Sequence, residues 1–215
     1  MARGIVFDMD GVLIDTSPIH EAAYREALRA FPIPHFRYPR VAGMRSADGM
    51  RRILGDHGIH LSAQEIAGLA AEKSSIALAR IVALNPIVPG ARAVLEALSK
   101  RSKLALASSA SPAAVDAFLD RNELRPLFRC VVHSGDVQNA KPAPEIFELA
   151  IARLGLAPAD AMVVEDAVAG IEAAKAAGAT ACGIISTCDA AELRAAGADL
   201  IIHQLADLLQ MGAAQ

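Results

Sequence analysis

The chain has 215 residues, of which 53% are hydrophobic, and its formal net charge is −3 at pH 7. This length and apolar content suffice for one buried core carrying a smaller inserted domain. The absence of tryptophan, the aromatic content of 4% and the slight negative charge exclude the basic or aromatic surface of a nucleic-acid-binding protein.

The cysteines and the apolar runs indicate the environment of the protein. Cys130, Cys182 and Cys188 are odd in number and contain no C-x-x-C pair, which argues against a disulfide framework and for a reducing compartment. No apolar run reaches the length of about 20 residues that a membrane span requires. We therefore expect a cytoplasmic protein with no membrane partner, and we take a monomer as the default state.

Short apolar runs predict the strands of a sheet. They lie at residues 5–7, 104–107, 130–132, 162–164, 182–185 and 200–202. The runs are continuous rather than alternating, which is typical of parallel strands buried on both faces. Helical patterns follow at about residues 90–100, 112–122, 145–154 and 170–177. The alternation predicts an α/β fold with a Rossmann-like, doubly wound parallel sheet.

One long segment interrupts this alternation. Helical patterns at residues 17–30, 48–55 and 62–81 follow one another with no strand between them. We therefore predict an all-helical cap domain of residues 16–81, inserted after the first strand. Residues 1–15 and 82–215 would then form the catalytic core.

Polar side chains stand just after the predicted strands. They are Asp8 and Asp10 after the first, Ser108 and Ser109 after the second, Lys141 beyond the third, and Glu165 and Asp166 after the fourth. Ligands of open α/β sheets bind outside the carboxyl ends of the strands, so these side chains are expected to converge on one crevice. Each piece alone is also found in ordinary turns, helix caps and surface loops. Their order at the ends of buried strands is what indicates a functional site.

The side chains in this crevice predict phosphoryl-transfer chemistry. Crowded carboxylates repel one another unless a cation lies among them, and Mg²⁺ favours carboxylates together with a substrate phosphate. Lys141 and Ser108, with the neighbouring Ser109, would hold phosphate oxygens. Asp8 can act as a nucleophile that forms an aspartyl phosphate. Asp10 can protonate the leaving oxygen and then deprotonate the attacking water.

These residues lie in segments that resemble the haloacid dehalogenase superfamily, in particular its phosphatase branch with a helical cap. The similar segments are DMDGVLIDT at 8–16, LAS at 106–108, KPAPEIF at 141–147, VED at 164–166 and AGIEAA at 169–174. The resemblance implies that Asp8 is the nucleophile and a Mg²⁺ ligand, and that Asp10 is the general acid/base with its backbone carbonyl on Mg²⁺. It also implies that Asp166 is a ligand, and that Glu165 is a ligand or supports one. Ser108 and Lys141 would hold the phosphoryl group.

Within the superfamily the chain resembles the β-phosphoglucomutase-type subgroup. Thr16 and His20 match its hinge and first cap helix, and His20 would position Asp10 or make a hinge contact. Arg45 lies in a segment similar to the substrate-specificity loop and would bind a distal phosphate or hydroxyl groups. The alternative is that Arg45 is a solvated charge. Lys73 falls where a cap lysine often lies, and we predict that it is solvated.

Three functions are compatible with the sequence. The leading hypothesis is a Mg²⁺-dependent phosphomonoester hydrolase acting on a small phosphorylated metabolite, such as a sugar phosphate. The alternatives are a phosphosugar mutase and, from another class, a receiver-like signalling module. After Ser109 and Ala110 the mutase pattern has a lysine and an asparagine, whereas this chain has Ser111 and Pro112. Because proline lacks both an N–H and an amide side chain, this departure favours hydrolysis. Receivers lack a large cap insertion.

Overall fold

The computed structural model describes residues 2–211, and its core is a six-stranded parallel sheet. The strands are β1 Gly4–Phe7, β2 Lys103–Ala107, β3 Cys130–Val132, β4 Ala161–Glu165, β5 Thr180–Ile184 and β6 Leu200–Ile202. Their order in the sheet is β3-β2-β1-β4-β5-β6. At the end of β1, Phe7 pairs with Leu106 on one side and with Val164 on the other. Residues that follow β1, β2 and β4 therefore emerge side by side.

Helices cover both faces of this sheet, which confirms the predicted fold class. The helices are α1 Ser17–Ala27, α2 Ser46–Asp56, α3 Ala63–Leu84, α4 Ala91–Ser99, α5 Pro112–Arg121, α6 Glu145–Leu154, α7 Val168–Ala176, α8 Ala190–Ala195 and α9 Asp207–Gln210. Phe7 belongs to an apolar cluster that includes residues of α4, α5 and α9 on one face of the sheet. Val6 belongs to a second cluster that includes residues of α6, α7 and α8 on the other face. Because successive strand residues point to opposite faces, both must be apolar. This explains the continuous apolar runs.

Helices α8 and α9 were not predicted. They contain six and four residues, which is too short for a helical period to become visible. Helix α8 begins at a local signal instead, because the Asp189 side chain accepts hydrogen bonds from the backbone N–H groups of Ala191 and Glu192. Within residues 2–211, no helix combines the length and the apolar character needed to cross a membrane.

Helices α1, α2 and α3 pack around a second apolar cluster that includes Tyr24, Met50 and Ile66. Helix α3 begins at a capping box, in which Ser62 and Glu65 satisfy each other's backbone N–H groups. It continues to Leu84, so the predicted domain boundary at residue 82 falls inside its last turn. The helical insertion lies over the carboxyl ends of the strands, and this position encloses the site described next.

Candidate active site

The loop after β1 places Asp8 at the centre of the sheet edge. The chain turns sharply here, since the Leu13 N–H bonds to the Met9 carbonyl at 2.9 Å. Gly11 has φ +78°, and a Cβ atom at this position would lie 1.8 Å from Oδ2 of Asp166. Glycine is therefore required both for the backbone conformation and for the space that the Asp166 carboxylate occupies.

Lys141 links two of the predicted carboxylates. Its Nζ lies 2.6 Å from Oδ1 of Asp8 and 2.6 Å from Oε1 of Glu165, and all three side chains are buried. Burial raises the pKa of Asp8 well above its usual range, against the opposing effect of Lys141. Burial acts to lower the pKa of Lys141, but Asp8 and Glu165 outweigh it and hold that pKa above its ordinary value. Lys141 is therefore a permanent positive charge beside Asp8.

Glu165 is held from several sides. Its Oε2 accepts hydrogen bonds from the backbone N–H groups of Asp166 at 2.9 Å and Ala167 at 3.0 Å. A Cβ atom at position 170 would lie 1.9 Å from Cδ of Glu165, so Gly170 leaves room for the carboxylate. Because Lys141 occupies Oε1, both oxygens of Glu165 have protein partners. This geometry suits a residue that orients Lys141 and the loop after β4.

Asp166 lies on the other side of Asp8 and bonds to residues after β5. The Ser186 hydroxyl lies 3.0 Å from Oδ2 of Asp166 and 2.6 Å from the Gly11 carbonyl oxygen. Burial, together with the charge of Glu165, raises the pKa of Asp166 to about 7. Ser186 and the adjacent Thr187, whose hydroxyl contacts that of Ser17 in the cap, were not predicted from the sequence. Their position directly after an apolar run was the signal that could have identified them.

The acidic residues fit a hard divalent cation. Asp8, Glu165 and Asp166 each offer a carboxylate oxygen, and these atoms lie within 4.8 Å of one another. The raised pKa values of Asp8 and Asp166 mean that protein groups alone do not compensate their charges. Oxygen-ligated cations such as Mg²⁺ match this donor set.

The Asp10 carboxylate is turned away from this cluster and toward the cap. Its Oδ1 accepts a hydrogen bond from Oγ1 of Thr16 at 2.7 Å and lies 3.1 Å from Nε2 of His20. Burial acts to raise the pKa of Asp10, but His20 and Thr16 outweigh it and hold the pKa below its usual range. Thr16 and His20 thus fix the orientation of Asp10 within reach of the cavity.

Lys73 is buried, so the prediction that it is solvated was wrong. Its side chain is packed between α1 and α3, with Nζ 3.1 Å from Nδ1 of His20 and 4.6 Å from the ring centroid of Tyr24. The residue is 6% exposed. Burial lowers the pKa of Lys73 to about 8, and the charge of Asp10 opposes this shift only partly.

Replacing Lys73 with Met is expected to remove a pH-dependent part of the stability. The folded-state pKa of about 8 lies below the ordinary value of 10.5, so between these pH values the unfolded chain holds a proton that the folded protein has released. The free energy of unfolding therefore rises with pH in this window. Deprotonation of Lys73 raises the free energy of unfolding by at most about 3 kcal/mol across this window. Urea unfolding of wild type and Lys73→Met from pH 7 to pH 10.5 measures the difference.

The matched control is Lys100→Met, which changes an exposed lysine. Its stability is expected to follow the wild-type pH dependence, because a solvated lysine has the same surroundings in both states. Parallel curves for wild type and Lys73→Met would contradict the buried position of Lys73.

Three further predicted residues lie where the loop after β2 and the cap loop meet. Ser108 is buried, and its Oγ accepts a hydrogen bond from the Ala110 N–H at 3.1 Å. The Ser109 hydroxyl donates to the Gly43 carbonyl oxygen at 2.7 Å. Arg45 donates to the carbonyl oxygens of Gln138 at 2.7 Å, Ser134 at 3.0 Å and Val137. Ser109 and Arg45 therefore hold the cap loop against the core.

A cavity of about 270 Å³ lies between cap and core. Its polar lining includes Asp8, Asp10, His20, Arg45, Lys73 and Asp166. The volume is just below the range of about 300–1,000 Å³ that is usual for ligand pockets, which suits a small metabolite. Seven of the predicted residues line this cavity, namely Asp8, Asp10, His20, Arg45, Lys73, Ser109 and Asp166. Thr16, Ser108, Lys141 and Glu165 are not part of its lining and contact it only through their neighbours.

Comparison with known proteins agrees with this geometry. A family model for haloacid dehalogenase-like hydrolases matches residues 2–178. A phosphorylated carbohydrates phosphatase from Thermotoga maritima is 34% identical over 179 residues, which is 82% of each chain. A beta-phosphoglucomutase from Bacillus subtilis is 31% identical over 213 residues, or 96% of this chain and 91% of the relative. The crystal structure of a hydrolase from Pseudomonas syringae has a TM-score of 0.87 at 27% identity, covering 97% of this chain and 96% of its own.

The match of the family model over most of the chain confirms the resemblance seen in the sequence. The chain belongs to the haloacid dehalogenase-like hydrolase family.

Proposed function

We propose that the protein is a Mg²⁺-dependent phosphomonoester hydrolase that acts on a small phosphorylated carbohydrate through an aspartyl phosphate on Asp8. The observation that carries this proposal is the position of Asp8. It is a buried carboxylate in the acidic cluster, 2.6 Å from a lysine, and it faces the cavity. The phosphatase named for the Thermotoga maritima relative supports the choice of substrate class.

The cation would be held by Asp8 and Asp166, with the backbone carbonyl of Asp10, while Glu165 supports Lys141 and the β4 loop. When bound, Mg²⁺ would neutralise phosphate oxygens and bring the anionic substrate next to an anionic nucleophile. Lys141 would bind a further phosphate oxygen. The Ser108 side chain and the loop after β2 would complete the phosphate cradle.

The chemistry needs two displacements at phosphorus. In the first, an Asp8 oxygen forms a bond to phosphorus, the bond from phosphorus to the leaving oxygen breaks, and Asp10 gives that oxygen a proton. In the second, Asp10 takes a proton from water, whose oxygen attacks phosphorus and releases inorganic phosphate and free Asp8. The pKa of Asp10 is held low by His20 and Thr16, so its carboxylate starts in the ionised form that can accept a proton. The charge of a bound phosphate would raise this pKa for the acid step.

A mutase remains the second candidate, because the Bacillus subtilis relative is named beta-phosphoglucomutase. A mutase needs a site for a second phosphate in the cap. Arg45, which the sequence suggested for that role, instead donates to three carbonyl oxygens of the core. Pro112 begins α5 and offers no donor there. Both observations favour hydrolysis.

The test is release of inorganic phosphate from a panel of sugar phosphates, phosphoglycolate, nucleotides and p-nitrophenyl phosphate. We expect turnover in Mg²⁺, loss of turnover in EDTA and recovery when Mg²⁺ is added back. Absence of phosphate release from every substrate by folded protein in Mg²⁺ would refute the proposal. Conversion of β-glucose 1-phosphate to glucose 6-phosphate, primed by the bisphosphate, would identify a mutase.

A further inference from the structure

One tyrosine of the cap has no role in the site described so far. Tyr38 begins a single turn of 3-10 helix, Tyr38–Arg40, and its carbonyl oxygen accepts hydrogen bonds from the N–H groups of Val41 at 2.9 Å and Ala42 at 3.0 Å. The side chain lines the cavity, although only 8% of the residue is exposed. The backbone turn therefore holds a buried phenol at the edge of the site.

The ring of Tyr38 lies beside the histidine that holds Asp10. Its centroid is 6.2 Å from that of His20, with 21° between the ring planes, and Nε2 of His20 lies 3.1 Å from Oδ1 of Asp10. Burial raises the pKa of Tyr38 well above its ordinary value, and the charge with the next largest effect is that of Asp10, followed by Asp166. The phenol therefore keeps its proton and can donate a hydrogen bond on the Asp10 side of the cavity.

The hydroxyl group of Tyr38 is left without a protein partner. None of residues 2–211 forms a hydrogen bond with it, and in that range Nδ1 of His133 is the single fully enclosed polar side-chain atom that lacks a partner. The Tyr38 hydroxyl thus borders open space, and its ring lines the cavity. Buried tyrosines usually pair their hydroxyl group, so a free donor here is typical of a residue that binds a ligand atom.

The phosphate end of a substrate has its partners in the core. Under the proposed function, the cation, Lys141 and the loop after β2 hold the phosphoryl oxygens, and Asp10 lies at the leaving oxygen. A cap donor on the Asp10 side is then next to the first atoms of the leaving group. We propose that Tyr38 binds a hydroxyl group on the carbon adjacent to the phosphate-ester carbon, and so selects vicinal hydroxy phosphates over plain alkyl phosphates. This inference rests on the proposed function in placing the phosphate beside Asp8.

Two small substrates that differ by one hydroxyl group test this contact. They are 2-hydroxyethyl phosphate and ethyl phosphate, and kcat/KM for phosphate release with Mg²⁺ is measured for each. Tyr38→Phe removes the hydroxyl and keeps the ring, so it is expected to lower the ratio of the two kcat/KM values about fivefold or more. Loss of folding would lower both values together and leave the ratio unchanged. A ratio equal to that of wild type would overturn the inference.

Tyr24→Phe is the matched control. Tyr24 is also a buried residue of the cavity lining, but its hydroxyl faces α2, where a Cβ atom at position 49 would lie 2.2 Å from Oη. Burial raises the pKa of Tyr24, and the charge that adds to this effect is that of Asp48. The ratio should therefore stay within about twofold of wild type. An equal fall of the ratio in both variants would contradict a specific contact of Tyr38.

Binding without catalysis separates this inference from the hydrolase proposal. Both ligands are titrated with Mg²⁺ into Asp8→Asn, with and without Tyr38→Phe, and binding is followed by NMR. If wild type releases no phosphate while Tyr38→Phe removes the difference in Kd between the two ligands, the hydrolase proposal fails and the contact stands. If phosphate is released while Tyr38→Phe alters neither the ratio nor the difference in Kd, hydrolysis stands and the contact fails.

Discussion

Asp8→Asn is expected to reduce phosphate release by at least about four orders of magnitude, because the amide cannot form the phosphoryl–enzyme bond. The substitution keeps the shape of the side chain, so the neighbouring backbone and Lys141 remain in place. Steady-state phosphate release with Mg²⁺ and the best substrate of the panel measures the loss. Activity within tenfold of wild type would exclude Asp8 as the nucleophile.

Stability provides the control for this variant. Burial raises the pKa of Asp8 in the folded protein, so the ionised carboxylate opposes folding at neutral pH when no cation is bound. Asp8→Asn should therefore melt no lower than wild type in EDTA, and its inactivity cannot then be attributed to unfolding. Asp116→Asn, which changes an exposed aspartate on α5, should keep wild-type activity.

Asp10→Ala is expected to reduce turnover of alkyl and sugar phosphates by about two to four orders of magnitude, the usual contribution of a general acid or base. Mg²⁺ affinity should change little, because the Asp10 carboxylate lies outside the acidic cluster. Calorimetric titration of Mg²⁺ and steady-state kinetics test the two parts separately. Equal activity in variant and wild type would remove Asp10 from the mechanism.

The leaving group distinguishes acid from base catalysis in this variant. p-Nitrophenolate departs without a proton, so the first displacement should survive in Asp10→Ala while the attack by water remains slow. Rapid mixing should then show a burst of p-nitrophenol of about one equivalent per enzyme, followed by slow turnover. A uniform loss with no burst would mean that Asp10 acts in the first displacement for every substrate.

The position of the core site could be predicted from sequence because it depends on a rule of topology. Residues that follow parallel strands share one edge of the sheet. The positions of Asp8, Ser108 and Asp166 could therefore be predicted from the strand assignments alone. The fold class followed from the same apolar runs. Ser186 also follows an apolar run, but its role depends on contacts with Gly11 and Asp166 that are distant in sequence and that a lone serine does not indicate.

The cap residues were harder because their environment depends on how helices pack. The contact of α3 with α1 determines whether the Lys73 side chain is solvated or lies against His20. The helical pattern of α3 alone does not contain that information. Arg45 is similar, since its partners at residues 134–138 are distant in sequence and are backbone atoms. Every residue type has a backbone carbonyl group, so the sequence does not indicate which carbonyl oxygens accept hydrogen bonds from Arg45.

The carbonyl acceptors of Arg45 also affect how the cap could change during evolution. No side-chain substitution at Ser134, Val137 or Gln138 can delete a carbonyl oxygen. The acceptors on the core side are therefore kept when the residue types at these positions change. On the cap side, by contrast, a single codon change at position 45 would remove all three bonds at once. The strength with which the cap loop is held against the core can therefore be changed by mutation at position 45, while the chemical groups on the sheet edge stay unaltered.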